Sequence, residues 1–362
     1  MTKLLASVTG PEEAELAISG GADIIDLKDP AAGALGAVPP AVLAATIAAV
    51  AGRRPVSAVA GDLPMQPDLV MRAVRERRAA DFVKIGLFPA SREERLAVIG
   101  ALAVLSREIR LVAVFFADGD PDFDLLAPLA EAGFHGAMID TMGKAGGGLL
   151  SKLAFPALSR FVDAARANGL VTGLAGSLEA PDVPRLLVLS PDYLGFRGAL
   201  TNGARGDALD ADKVRRIAAL VAGSGRPVEG AGPDGAAAPA GQPVHDRIFV
   251  RDFVLDIEIG AYGHERGRRQ KVRFSVDALI DRIDPRNDDI AAVYSYDLVI
   301  DAIRHLAERG HTDLVETLAV DLAATVLSDQ RVFEVGVRVE KLELGPGSVG
   351  IEIIRRRQAA GG

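Results

Sequence analysis

Residues 21–30, GADIIDLKDP, read as a short buried strand whose far end carries Asp26 and Lys28. Side chains two apart on a strand share a face, so both charges point the same way. An apolar strand holds two charges inside only if they pair with other charges or do chemistry. The lysine is informative in itself, because only eight of the 41 Lys and Arg residues are lysine. Lysine can lose its proton and act as an amine nucleophile; arginine cannot.

Similar apolar runs recur along the first part of the chain. LLASVT (4–9), DIIDLKD (23–29), VSAVAGD (56–62), FVKIGLF (82–88), LVAVFFA (111–117), GAMIDT (136–141), VTGLAGS (171–177) and YLGFRGA (193–199) alternate with amphipathic segments. PDLVMRAVRERRAA and SKLAFPALSRFVDAARANG are two of those helix-like segments. Eight strand–helix repeats predict an α/β fold, a closed (β/α)8 TIM barrel, with a doubly wound open sheet as the alternative. Residues 224–244 are mainly Gly, Ala and Pro and read as a flexible linker, which divides the chain into domains at 1–223 and 245–357. Beyond it the period changes to two in DRIFVRDFVLDIEIGAY and QKVRFSVDALID. Two helical segments follow, then VFEVGVRVEKLEL and VGIEIIRR, so a smaller α+β domain of order ββααββ is expected.

With 362 residues, 49% of them hydrophobic, the chain can build one large and one small core. A net charge of −8 and a pI near 5.3 argue against nucleic acid or an anionic membrane surface as partner. There is no cysteine, which excludes disulfides and thiolate zinc sites. His264, His305 and His311 lack metal-like spacing, so no metal and no cofactor is expected. The start lacks the apolar stretch of a signal peptide, and no stretch is long enough to span a bilayer, so a cytoplasmic location is expected.

Catalytic groups of such barrels project from the C-terminal ends of the strands. That rule gathers Asp26, Lys28, Lys84, Asp118, Asp140 and Lys144 at one mouth. Two readings stand. The set is a group of structural ion pairs, or burial and neighbouring cations make one lysine a neutral amine fit for a Schiff base. The loops LAGS and GFRG, after strands seven and eight, suit a phosphate cradle. Gly176 and Gly198 would offer backbone N–H groups, and Ser177 and Arg197 side-chain donors. The combination points to a phosphorylated aldehyde or ketone.

GADIIDLKDPAAGALGA, VSAVAGDLP, FVKIGLF, AMIDTMGKAGG, LAGS and GFRGA, in this order, resemble the (5-formylfuran-3-yl)methyl phosphate synthase family over residues 1–222. The resemblance implies condensation of two glyceraldehyde 3-phosphate molecules into the furan precursor of methanofuran-type cofactors. It implies Lys144 as the Schiff-base lysine and Lys28 as an essential partner, with Asp26, Lys84 and Asp140 in the same site. Asp26 and Asp140 would carry protons. Another class I aldolase or a phosphosugar isomerase is the rival reading of the barrel.

GAYGHERGRRQKVRFSVD, VYSYDLVIDAI, DLVETLAVDLA and VRVEKLELGPGSVGIEI resemble dihydroneopterin aldolase, a tunnelling-fold family, over residues 246–356. This second resemblance implies dihydroneopterin as substrate, Glu316 on the pterin ring and Lys341 as acid/base. It also implies Tyr296 as a proton donor, Glu265 on the side-chain diol, and homo-oligomers closed through this domain. The proline that usually follows the family's lysine is Leu342 here. A non-catalytic oligomerising or pterin-binding module is the rival reading.

Overall fold

The computed structural model describes residues 1–143, 147–203, 207–223, 245–282, 293–344 and 347–357; Lys144 and the expected linker at 224–244 lie outside them. The chain divides into two compact units, Met1–Ser224 and Gly225–Gly362.

The first unit is a closed barrel of eight parallel strands. They are β1 (Lys3–Val8), β2 (Ile24–Leu27), β3 (Val56–Val59), β4 (Phe82–Gly86), β5 (Arg110–Phe116), β6 (Gly136–Asp140), β7 (Val171–Leu174) and β8 (Tyr193–Phe196). β1 pairs with β8, Leu5 opposite Gly195, and that pairing excludes an open sheet. Strands covered on both faces need no polar alternation; β5 is accordingly buried from Leu111 through Phe116.

The outer helices start where the sequence allows it. Pro11, Pro40 and Pro67 each open a helix, where a missing N–H leaves no bond unmade. Ser91 and Glu94 cap the helix Arg92–Leu102 reciprocally. Val70, Ala73 and Val74 form the buried stripe of Pro67–Glu76. The segment SKLAFPALSRFVDAARANG, expected as one helix, is broken into Leu149–Lys152 and Phe155–Ala167. Pro156 has no N–H to give the carbonyl of Lys152, so the first helix stops there.

The second unit is an antiparallel sheet in the order β12-β11-β10-β9. Its strands are β9 (His245–Glu258), β10 (Arg269–Asp281), β11 (Val332–Lys341) and β12 (Val349–Arg356), with helices Tyr296–Ala307 and Val315–Leu327 between β10 and β11. Phe274, Val276, Val337 and Val339 pack with Val299, Ile303, Leu318 and Leu322 in one core, which sets both helices on one face of the sheet. On β10 buried and partly exposed residues alternate, as a sheet with one covered face requires. Among the described residues no helix is long and apolar enough to cross a membrane, and no acid–histidine group is placed to hold a metal ion.

Two contacts yield tests. A Cβ on Gly173 would lie 2.2 Å from Tyr193 Cε2, so only glycine leaves room for that ring. Gly173→Ala should destabilise the first unit by roughly 1–3 kcal/mol in denaturant titration, as overpacking does. The cost should shrink in a Tyr193→Leu background; equal costs in both backgrounds would place the strain elsewhere. On the uncovered face of the second sheet, Arg273 clasps Glu340 across β10 and β11, with Nε–Oε2 at 2.9 Å and Nη2–Oε1 at 3.0 Å. The Arg273 hydrogen bond, against the opposing effect of burial and helped by Ser348 and Arg338, holds Glu340 down to about 2. A depressed carboxylate contributes stability above its ordinary pKa and loses it as the pH falls towards the folded value. Acid titration should therefore weaken the second unit between about pH 4.5 and 2, and less steeply in Glu340→Gln. An unchanged slope in that variant would remove the pair from the acid response.

Candidate functional site

The four charged residues singled out on β2, β4 and β6 meet at the C-terminal end of the barrel, around a cavity of about 230 Å³. Lys84 Nζ lies 2.5 Å from Asp26 Oδ1, and Lys28 Nζ lies 3.6 Å from Asp140 Oδ2. None of the four side chains is more than 6% exposed. Two cations and two anions balance there, which is the condition under which buried charges persist. Asp26 also accepts hydrogen bonds from Ser57 Oγ at 2.8 Å and Ser7 Oγ at 3.1 Å. Asp140 Oδ1 accepts the Thr141 N–H at 2.7 Å.

The electrostatics follow from that arrangement. Burial pushes the Asp26 carboxyl up, but the charges of Lys84 and Lys28 and the hydrogen bonds from Lys84 and Ser57 outweigh it. Asp26 is thus a firm carboxylate, below the usual range. Burial pushes Lys84 below the ordinary lysine value, and the Lys28 charge adds to the push, while Asp26 opposes it. Lys84 is therefore easier to deprotonate than a surface lysine, with a fixed anion to take it back.

Asp118 has another place. Its carboxylate accepts the N–H groups of Met142 at 2.8 Å and Gly143 at 2.7 Å. Those bonds hold it below the usual carboxylate range against the effect of burial. It ties down the start of the loop after β6, the loop that leads to Lys144.

The loops after β7 and β8 line the same cavity through Gly176, Ser177 and Gly198. Gly176 (φ 117°) and Ser177 (φ 48°) are both in the left-handed region, and a side chain is rarely held there without a local reason. A Cβ on Gly176 would sit 2.8 Å from Thr141 Cγ2, so the loop approaches the end of β6 closely. Arg197 lines the cavity as well. It is buried, and both terminal nitrogens of its guanidinium clasp Glu13, at 2.6 and 3.1 Å. They also bond the carbonyls of Ser7 and Asp207. A fork held by a buried carboxylate and two carbonyls ties the loop after β8 to the first helix and to β1.

In the second unit Lys341 Nζ meets Glu265 Oε1 at 2.7 Å. Gln270 Nε2 donates to the same oxygen and to the carbonyl of Ile259, and Tyr262 N–H donates to Glu265 Oε2. The Lys341 bond, then those from Gln270 and Tyr262, bring Glu265 down to about 2. Gly260 (φ 140°) makes room, since a Cβ there would lie 2.1 Å from the Glu265 carboxylate. Glu265 is thus the anion that seats Lys341. Tyr296 and Glu316 stand exposed at the first turns of the two helices. Neither bonds to the Lys341 pair among the described residues. Leu342 N–H donates to the carbonyl of Lys271 at 3.0 Å, a bond that proline could not make.

Sequence reasoning missed Ser7, Ser57, Glu13 and Gln270. A signal existed for the serines, each a lone hydroxyl in an apolar strand. Ser7, Asp26 and Ser57 are register partners on three adjacent strands. Glu13 looked like an ordinary acid in the first turn of a helix, and nothing marked it as the partner of Arg197.

Comparison with known proteins covers both units. The family model for 4-HFC-P synthase matches residues 4–218, and that for dihydroneopterin aldolase matches residues 248–354. Over 223 residues the chain is 46% identical to a Methylorubrum extorquens protein whose name proposes (5-formylfuran-3-yl)methyl phosphate synthase activity, covering 61% of this chain and 92% of that one. The (5-formylfuran-3-yl)methyl phosphate synthase of Methanopyrus kandleri is 38% identical over 237 residues, covering 61% of this chain and 99% of that one. Among solved structures, a guanine-bound dihydroneopterin aldolase from Burkholderia thailendensis is 29% identical, with a TM-score of 0.29, covering 32% of this chain and 93% of that one. The buried lysine–aspartate network and the family match coincide on the same unit, and the chain belongs to the 4-HFC-P synthase family, with a dihydroneopterin aldolase domain following the barrel in sequence.

Proposed function

We propose that the barrel condenses two glyceraldehyde 3-phosphate molecules into (5-formylfuran-3-yl)methyl phosphate through a Schiff base on Lys28. The observation that carries this reading is the pairing of a cavity-lining lysine with an acid, Lys28 with Asp140, beside a second lysine held by its own carboxylate. Lys84 is locked against Asp26, whereas the Lys28 ammonium borders the open space with one carboxylate at 3.6 Å. That supports Lys28 as the nucleophile, the reverse of the roles implied by the resemblance, with Lys144 as the auxiliary cation. Lys28 attacks the carbonyl, Asp140 returns a proton to the departing oxygen, and the resulting iminium acidifies the adjacent C–H. Lys84, eased towards its neutral form by burial, takes that proton while Asp26 stays ionised beside it. The enamine adds to a second aldehyde, water hydrolyses the resulting iminium to free Lys28, and ring closure with net loss of two waters and one inorganic phosphate gives the furan. The backbone of Gly176–Ser177 and Gly198 supports the phosphate.

For the second unit we propose an aldolase acting on a dihydroneopterin-like pterin, with Lys341 as acid/base and Glu265 as its seat. Exposed Tyr296 and Glu316 would complete the pocket from a neighbouring subunit. The outer strands β9 and β12 support assembly, since both are unpaired on one side and expose Phe249, Val254, Val349 and Ile354.

Two experiments test this. Borohydride reduction with glyceraldehyde 3-phosphate should trap an adduct that maps to Lys28, and Lys28→Arg should abolish it. An adduct on Lys144 would restore the reverse assignment, and no adduct on any lysine would overturn the mechanism. Light scattering on the full chain should give a multiple of the 37.8 kDa subunit mass, and Lys341→Met should lose dihydroneopterin cleavage while keeping that mass. A monomer that still cleaves the pterin would refute the shared pocket.

A further inference from the structure

The barrel holds a second cavity, of about 190 Å³, on the side away from the mouth. Lys3, Phe82, Val171 and Tyr193 line it, and these are the first residues of β1, β4, β7 and β8. It therefore lies at the N-terminal end, which packed side chains usually close. Two residues, Leu5 and Lys84, line both cavities. Lys84, the buried lysine paired with Asp26, is thus approached from both ends of the barrel.

Leu5, Ile24, Phe82, Val112 and Val171 make much of the lining apolar, but polar groups interrupt it. Ser57, which hydrogen-bonds Asp26, borders it, as do His135, Asp192 and Tyr193. A cavity of this size with several polar partners accommodates hydrogen-bonded water, whereas a purely apolar one stays dry. Burial, and then the charges of Asp26 and Asp192, push the Tyr193 hydroxyl far up, so it remains a protonated donor. Burial and the nearby Arg110 push His135 down, against the pull of Asp192, which keeps its imidazole neutral near pH 7, with one donor and one acceptor nitrogen. Neither group holds a charge of its own, yet both can pass a hydrogen bond along.

We propose that this N-terminal cavity is an aqueous passage through which Lys84 exchanges protons with bulk solvent while substrate occupies the mouth. The proposal rests on the role given to Lys84 above. The balance is simple: the amine takes a proton from the substrate carbon and becomes an ammonium, water in the cavity carries that proton out, and the amine is restored. No electrons are transferred. Lys84 and Asp26 also line the mouth cavity, where bound substrate would compete with water for the approach to the amine.

Plugging the passage from its far end tests the idea. Val171 and Phe82 are partly exposed and away from the mouth, so Val171→Phe and Phe82→Trp should narrow the opening without touching the reacting groups. Each variant is assayed in D2O for borohydride adduct, KM, kcat and solvent deuterium entering the reacting carbon of triose phosphate. Adduct yield and KM should stay at the wild-type level, while deuterium entry and kcat fall about tenfold, as expected when one proton transfer is throttled. Wild-type exchange and kcat in both variants overturn the passage. So does a parallel loss of adduct and exchange in both, which would make the cavity a packing feature only. A wild-type protein that forms no adduct at all fails at the earlier step and brings down the Schiff-base reading itself.

Discussion

The contact between Asp26 and Lys84 constrains everything around it. Both groups are out of water, and either one alone would cost several kcal/mol to keep ionised; removing one partner from such a pair typically costs about 3–5 kcal/mol. The barrel answers with a rung of three adjacent strands, Ser7, Asp26 and Ser57, whose two hydroxyls saturate the carboxylate. Lys28 and Asp140 then add a second, looser pair above the first. The two pairs differ in closeness, 2.5 Å for Lys84 with Asp26 against 3.6 Å for Lys28 with Asp140, so the Lys28 ammonium is held less tightly than that of Lys84.

The second unit uses the same chemistry with a different balance. Lys341 and Glu265 also form a buried pair, but the carboxylate is further held by Gln270 and a backbone N–H. The anion is satisfied several times over, while the lysine has one strong partner. Such an arrangement orients an ammonium without neutralising its reach. Both units thus set a rigidly held carboxylate against a buried lysine.

What the sequence disclosed follows from how local each cause is. Eight apolar runs, the change of period after the linker and the charges at strand ends are local, and the barrel, the ββααββ order and the four-residue network were legible from them. The clasp of Arg197 on Glu13 was not legible because its partner is remote: Glu13 lies 184 positions away, and only the closed barrel brings them together. The pairing of Glu265 with Lys341 was hidden for the same reason, the two being 76 positions apart. Pro156 was legible in principle, since a missing N–H is a local fact, yet the apolar pattern across it masked the break. Serines inside apolar strands carried a signal too weak to rank until their register was known.

The clasp of Arg197 on Glu13 has a bearing on synthesis of the chain. The first helix carries the glutamate and the loop after the eighth strand the arginine, so neither is satisfied until nearly all of the first unit has left the ribosome. Until then β1 presents an unpaired edge, and the contacts that close the ring are of the long-range kind that form slowly. A nascent barrel truncated before β8 would keep an open edge and a carboxylate without its cation, which is a substrate for mispairing or for chaperones. The second unit comes later in the sequence, and among the described residues its strands pair with each other. Translation order therefore lets the slow ring close before the second sheet, with its exposed outer strands, is available to interfere.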